Sequence, residues 1–151
     1  MDDDDREFEA LVHEIEPRLR RAFLATRGVD GAADAVAEAL AWGWEHRDEL
    51  GAMENPAGYL YRVGQSRTRP RPRLELPPPS EVGVPDIEPT LIPALLALPE
   101  TQRTAVWLVH ACGWSYADAA AALETSPSMI GNHVTRAMAK LRVELGVDDD
   151  A

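Results

Sequence analysis

Several groups of side chains in the sequence have the types and spacing to do chemistry. In the last third, Ser126, Ser128, Asn132, His133, Arg136 and Lys140 fall along one stretch. Asparagine reads adenine through paired hydrogen bonds, and a mostly neutral histidine can donate to a phosphate. Arg136, Lys140 and Arg142 carry the fixed positive charge of this stretch. Earlier, Arg62, Arg67, Arg69, Arg71 and Arg73 put five arginines in 12 residues with no acid among them. Such a run grips phosphates by releasing counterions. The alternative is a solvated basic stretch that answers the acidic tails. Glu38 and Trp42 lie four apart and so share a helix face. If Trp42 is exposed it is a protein-contact anchor; otherwise it packs beside Trp44 in the core. Catalytic chemistry finds no such support. His13, His46 and His110 lack metal-ligand spacing. Cys112, the single cysteine, reads as a small buried residue and allows neither an intrachain disulfide framework nor a cysteine-built zinc site. No nucleophile elbow, phosphate-binding loop or dinucleotide fingerprint occurs. The expectation is a protein without enzymatic activity and without a cofactor.

These side chains must be placed by helices. Phe8, Leu11, Val12, Ile15, Leu19, Ala22 and Phe23 recur at helical spacing, and Pro17 is expected to kink that helix. Asp30 can cap a second helix with Val36, Leu40 and Trp44 on one face. Asn55-Pro56 opens a third, with Tyr59, Leu60 and Val63 buried and Pro70 ending it. Nine of the 12 prolines fall between Pro70 and Pro99, so residues 70–90 read as a linker. It separates a first block, 6–69, from a second, 91–146. In the second block Leu91–Leu98 gives a turn or two, and Pro99 starts a helix to about Ala111 that Gly113 breaks. Ser115 with Asp118 forms a capping box for an alanine-rich helix. Ser126 caps a last helix with Pro127 in its first turn, the core stripe Ile130, Val134, Ala137, Leu141, and Gly146 as its stop. No alternating, β-branched stretch appears, so the fold class is all-α: two small helical domains.

The charge balance first argues against nucleic acid, because the 151 residues carry a formal net charge of -11. Partition removes the objection. Residues 1–73 have 15 acidic and 11 basic side chains, 74–98 have 4 acidic and none basic, and 99–151 have 7 acidic and 4 basic. Asp2–Asp5 and Asp148–Asp150 supply seven of the negative charges and read as solvated ends. The acidic start is the opposite of a secretory signal, and no apolar run reaches the ~20 residues of a membrane span. The cytoplasm is the expected compartment, with no membrane insertion.

The order helix, tight turn, helix over Ser115–Leu145 is the layout of a DNA-reading helix-turn-helix, and equally of an ordinary αα-hairpin. Here the sequence resembles a known family. Leu98-Pro99-Glu100-Thr101-Gln102-Arg103, Gly113-Trp114-Ser115-Tyr116-Ala117-Asp118 and Arg136-Ala137-Met138-Ala139-Lys140-Leu141-Arg142 resemble the fourth domain of sigma-70 family sigma factors, in the extracytoplasmic-function (ECF) group. Phe8-Glu9-Ala10-Leu11, Asp34-Ala35-Val36-Ala37-Glu38-Ala39 and Asn55-Pro56-Ala57-Gly58-Tyr59-Leu60-Tyr61-Arg62-Val63 resemble its second domain. The resemblance implies core RNA polymerase and promoter DNA as partners, with an anti-sigma factor or another sigma factor as a further one. It assigns polymerase contact to Asp34, Glu38 and Trp42. Minus-ten contact falls to Asn55, Tyr59, Arg62, Ser66, Arg67 and Arg69. Minus-thirty-five contact falls to Ser126, Ser128, Asn132, His133, Arg136 and Lys140.

The chain departs from the family pattern in three places. Ala37 replaces a glutamine on the clamp helix, Ser66 replaces an asparagine where the prolines cut the minus-ten helix short, and Gly131-Asn132-His133 replaces a more basic first turn. These departures leave an alternative in view: a sigma-like interaction protein, a co-regulator or decoy with degraded promoter reading.

Overall fold

A computed structural model describes residues 2–69 and 90–146, and among them every regular element is a helix. The expected linker, apart from Thr90, lies outside the described residues, as do Arg71, Arg73 and the acidic run Asp148–Asp150. The first unit holds α1 (Asp3–Glu45), α2 (Arg47–Gly51) and α3 (Pro56–Arg67). The second holds α4 (Leu91–Leu96), α5 (Glu100–Val106) continued by a π-helical turn (Trp107–Ala111), α6 (Tyr116–Leu123) and α7 (Pro127–Glu144).

Within α1 the backbone leaves helical values at Gly28, with φ 72° and ψ -177°, and not at Pro17. Pro17 removes one backbone donor, to the carbonyl of exposed His13, while fully buried Ile15 and Leu19 flank it and hold the path. Gly28 makes the real break, at a φ that side-chain-bearing residues avoid. The two arms fold around α3, joined by Phe23, Ala32, Ala35, Ala39, Leu50, Leu60 and Tyr61. Tyr61, not Tyr59, is the aromatic that α3 buries; it stacks on Phe23 at 4.7 Å. Gly64 is required there, since a Cβ would stand 2.4 Å from Phe23 Cζ.

In the second unit α5 starts after Pro99 as expected, and its last turn widens to π geometry, burying Trp107 and Leu108. Gly113 ends it at φ 71°. Ser115 caps α6 by accepting from the Asp118 amide at 3.0 Å. The reciprocal half of the box is absent, because the Asp118 carboxylate turns to Arg18 of α1 at 2.8 Å. Ile130, Val134, Ala137 and Leu141 form the buried stripe of α7, and Gly146 follows the helix at φ 65°.

The two units are packed on each other. Gly58 lets α3 approach α6 so closely that a Cβ would lie 2.6 Å from the Asp118 carbonyl and 2.7 Å from Ala121 Cβ. The Trp107 indole donates to the Arg21 carbonyl at 3.0 Å, and buried Trp114 meets Tyr61 edge-on at 5.9 Å. Arg18 lies over the Trp114 ring, 5.2 Å from its centroid.

Candidate nucleic-acid interface

α6 and α7 form a tight helix-turn-helix. The turn begins at Glu124 in the left-handed region (φ 55°, ψ 47°), and the amides of Glu124 and Thr125 both return to the Ala120 carbonyl. α7 then starts at Ser126, whose Oγ accepts from the Met129 amide at 3.2 Å. Ser126 is therefore engaged as the cap. Opposite the buried stripe, Ser128, Asn132, Arg136 and Lys140 are all exposed. They are spaced by four and so line one side of the helix. His133 lies beside this row, half-buried, with Nδ1 buried and without a hydrogen-bond partner. Gly131 has room for a Cβ, the nearest neighbour being Tyr116 Cε2 at 3.5 Å.

The expected minus-ten residues sit on and beyond α3, where they are less free than the sequence suggests. Arg62 pairs with Glu124 of the turn at 2.7 Å and covers the Tyr59 ring at 5.1 Å. Arg67 faces Glu38 of α1 at 3.9 Å, both half-exposed. The arginine run has no acid within it, but the fold brings carboxylates to two of its members from other helices. Arg69 and Ser66 are exposed, the Ser66 Oγ donating to the Val63 carbonyl at 2.9 Å. Asn55 precedes α3 half-buried and makes no side-chain cap bond.

Asp34 and Glu38, the expected polymerase contacts, come together with Arg67 and Arg69 around a groove of about 570 Å³ that Gly31, Ala37 and Thr68 complete. Trp42 is not part of it. Its ring is half-buried, stacked on His46 at 4.1 Å and tilted on Tyr59 at 5.1 Å, and the His46 Nδ1 lies 2.9 Å from the Trp42 carbonyl. Trp44 faces elsewhere, exposed, against Phe8 and under Arg47. The two tryptophans do not pack together.

The sequence reading missed the residue that fixes the end of α3. Arg27 is buried, and its guanidinium donates to Thr68 Oγ1 at 2.7 Å, the Gln65 carbonyl at 2.9 Å and the Thr26 carbonyl at 3.1 Å. Thr68 Oγ1 donates in turn to the Gly64 carbonyl at 2.7 Å. A cation thus meets the negative end of the helix dipole and its unpaired carbonyls. Burial pulls the Arg27 pKa down, partly offset by Tyr61 and Glu100, and the group stays charged. Burial also pushes Tyr61 up to about 12, against the hydrogen bonds from Thr26 and Gln65 and the charge of Arg27. The Cys112 thiol is pushed up to about 12 by burial, opposed by Arg21 and Arg18. Among the described residues no group of His, Cys, Asp and Glu is placed to hold a metal ion, and no helix is long and apolar enough to cross a membrane.

Residues 91–141 match the family model for sigma-70, region 4. The second unit is thus similar to sigma-70 region 4. The match spans α4 to the core stripe of α7 and agrees with the helix-turn-helix reading of α6 and α7. The fold of the whole chain is similar to that of the sigma factor RpoE from Bartonella quintana, solved in complex with the anti-sigma factor NepR. The TM-score is 0.71 at 24% identity, over 95% of this chain and 99% of that one. No curated protein matches the sequence. The likeness covers the all-α first unit as well as the second.

Proposed function

We propose that the chain is an ECF-type sigma factor that directs core RNA polymerase to promoters for transcription initiation. The observation that carries this is the region 4 match on a helix-turn-helix whose second helix exposes Ser128, Asn132, Arg136 and Lys140 in one row. In this reading α7 enters the major groove at the minus-thirty-five element, where its N-terminal turns bring side chains to base edges. Arg62, Arg67 and Arg69, with Asn55, Tyr59 and Ser66, serve the minus-ten element. Asp34, Glu38 and Trp42 serve polymerase. The domains are a sigma domain 2 over 6–69, a linker over 70–90 and a sigma domain 4 over 91–146. The protein has no catalysis of its own, works in the cytoplasm with polymerase, and takes an anti-sigma factor as a natural regulator.

One observation favours the second reading, a sigma-like interaction protein: Arg62 and Arg67 are each paired with a carboxylate of this same chain. Run-off transcription separates the two. Purified protein is added to core polymerase on a promoter library. Transcripts from defined start sites support initiation; polymerase binding with no transcript rejects it and leaves the interaction protein. Glu38→Arg is expected to weaken polymerase binding, and unaltered affinity would remove Glu38 from that contact.

A further inference from the structure

One side chain of α1 decides where the end of α3 points. Pro70 and Pro72 carry no backbone N–H, so the carbonyls of Ser66 and Thr68 find no helical donor ahead of them. The backbone leaves helical values at Thr68, which is extended at φ -127° and ψ 161°. Helix ends of this kind ordinarily fray, and Arg67 and Arg69 would fray with this one. Arg27 holds it from the other helix. Its guanidinium donates to Thr68 Oγ1 and to the Gln65 carbonyl, with a longer contact of 3.5 Å to the Thr68 carbonyl. Several bonds from one planar fork fix direction as well as attachment. Arg27 stands directly before the break at Gly28. Beyond that break, Gly31, Asp34 and Glu38 of α1 line the groove that Arg67, Thr68 and Arg69 line from α3. We infer that Arg27 is a positioning residue for promoter contact: it aims Arg67 and Arg69 beside Asp34 and Glu38, so that one groove offers guanidinium groups to DNA and carboxylates to polymerase in a fixed register. Arg27 is buried and acts only through the last turn of α3. The inference rests on the sigma-factor reading for the identity of the two partners.

Arg27→Met removes the donors. Thr68→Val removes an acceptor while leaving Arg27 in place, and serves if Arg27→Met fails to fold. Both are assayed well below their melting points, so that a loss of folded protein is not read as a loss of aim. Limited trypsin digestion reads the turn without any partner. Cleavage between Arg67 and Thr68, identified by mass, should be roughly tenfold faster in Arg27→Met, because the protease needs that backbone locally open. For the DNA arm, each variant is assembled with core polymerase and titrated by anisotropy onto a fluorescein-labelled promoter fragment that the parent protein transcribes in run-off. Loss of two phosphate contacts should reduce the slope of log affinity against log salt by about 1–2 and weaken binding roughly fivefold. Arg67→Ala with Arg69→Ala should give the same loss, and adding Arg27→Met to that pair should cost nothing further. Arg27→Lys should recover part of the slope. Affinity for core polymerase should be unaltered in Arg27→Met, since Asp34 and Glu38 remain on α1. An unchanged salt slope in the folded variants, or a further loss when Arg27→Met joins the alanine pair, would overturn the positioning role and leave Arg27 with stability alone. Unchanged cleavage after Arg67 would overturn the hold on the turn. Absence of transcripts from the parent itself rejects the sigma-factor reading and the DNA role with it, an outcome distinct from parental transcription with an unaltered slope.

Discussion

Replacing Arg27 by methionine isolates the clasp at the end of α3. The methionine keeps most of the apolar stem and removes every donor. Three hydrogen bonds of 3.1 Å or less are lost, to Thr68 Oγ1, the Gln65 carbonyl and the Thr26 carbonyl. Bonds from a charged donor contribute about 1.5–3 kcal/mol each, which would sum to several kcal/mol. Two effects reduce this: the guanidinium is no longer desolvated, and the end of α3 can fray toward water. A net loss of about 2–4 kcal/mol follows. At about 2–4 °C per kcal/mol for a chain of this size, Tm should fall by roughly 5–15 °C. Calorimetry gives the magnitude, and amide exchange localises it to the last turn of α3 around Gln65 and Thr68. Arg27→Lys should fall between, since one ammonium cannot reach three acceptors in a planar fork. A methionine variant melting within about 1 °C of the parent, with unchanged protection of Thr68, would refute the assignment of Arg27 as the clasp.

The pH dependence of stability should be one-sided. Tyr61 and Cys112 both hold their protons more tightly when folded, rising from 10.0 and 9.0 to about 12. The unfolded chain therefore loses protons first, and denaturant midpoints should decline from pH 9 to 12 with no contribution below that window; Cys112→Ala should flatten the part that begins near pH 9, and an unaltered profile would contradict the raised pKa of this partly buried thiol. Gly64→Ala drives a methyl group into Phe23 and should lower stability by about 1–3 kcal/mol, seen as a reduced urea midpoint at constant slope. Ser126→Ala should remove about 1 kcal/mol through the lost cap on α7, whereas Ser126→Asn should restore it in a thermal melt.

Much of the helical layout was legible in the sequence, because helical periodicity is local. The stripe Ile130, Val134, Ala137, Leu141 and the caps Ser115 and Ser126 each depend on neighbours within a turn or so, and all are found in place. The errors share a different cause. Tyr59 and Tyr61 are both aromatic members of α3, and only Phe23 on another helix selects Tyr61 for the core. Asp118 satisfies the spacing of a capping box, yet Arg18, 100 residues away, claims its carboxylate. The arginine run reads as a bare positive stretch because Glu38 and Glu124 belong to other helices. Arg27 offered no signal, since a lone arginine in a helix is ordinarily solvent-facing and only its tertiary acceptors mark it as buried. The family resemblance supplied the region 4 motif where periodicity alone left two readings, and the match over residues 91–141 agrees with it.

The π turn at Trp107–Ala111 also limits which changes in length this chain tolerates. Its wider winding accommodates an extra residue within the turn while the Cys112 amide returns to the Trp107 carbonyl at 3.0 Å and the Trp114 amide to the Leu108 carbonyl at 2.9 Å. Deleting one residue there would restore ordinary α winding but rotate all that follows by about 100°, the angle each residue subtends in an α-helix. Trp114 would leave its place against Tyr61, and the whole helix-turn-helix would face another direction. In this segment the count of residues constrains the protein as tightly as the identity of buried Trp107 and Leu108, so related chains should conserve its length and those two positions while varying the rest more freely.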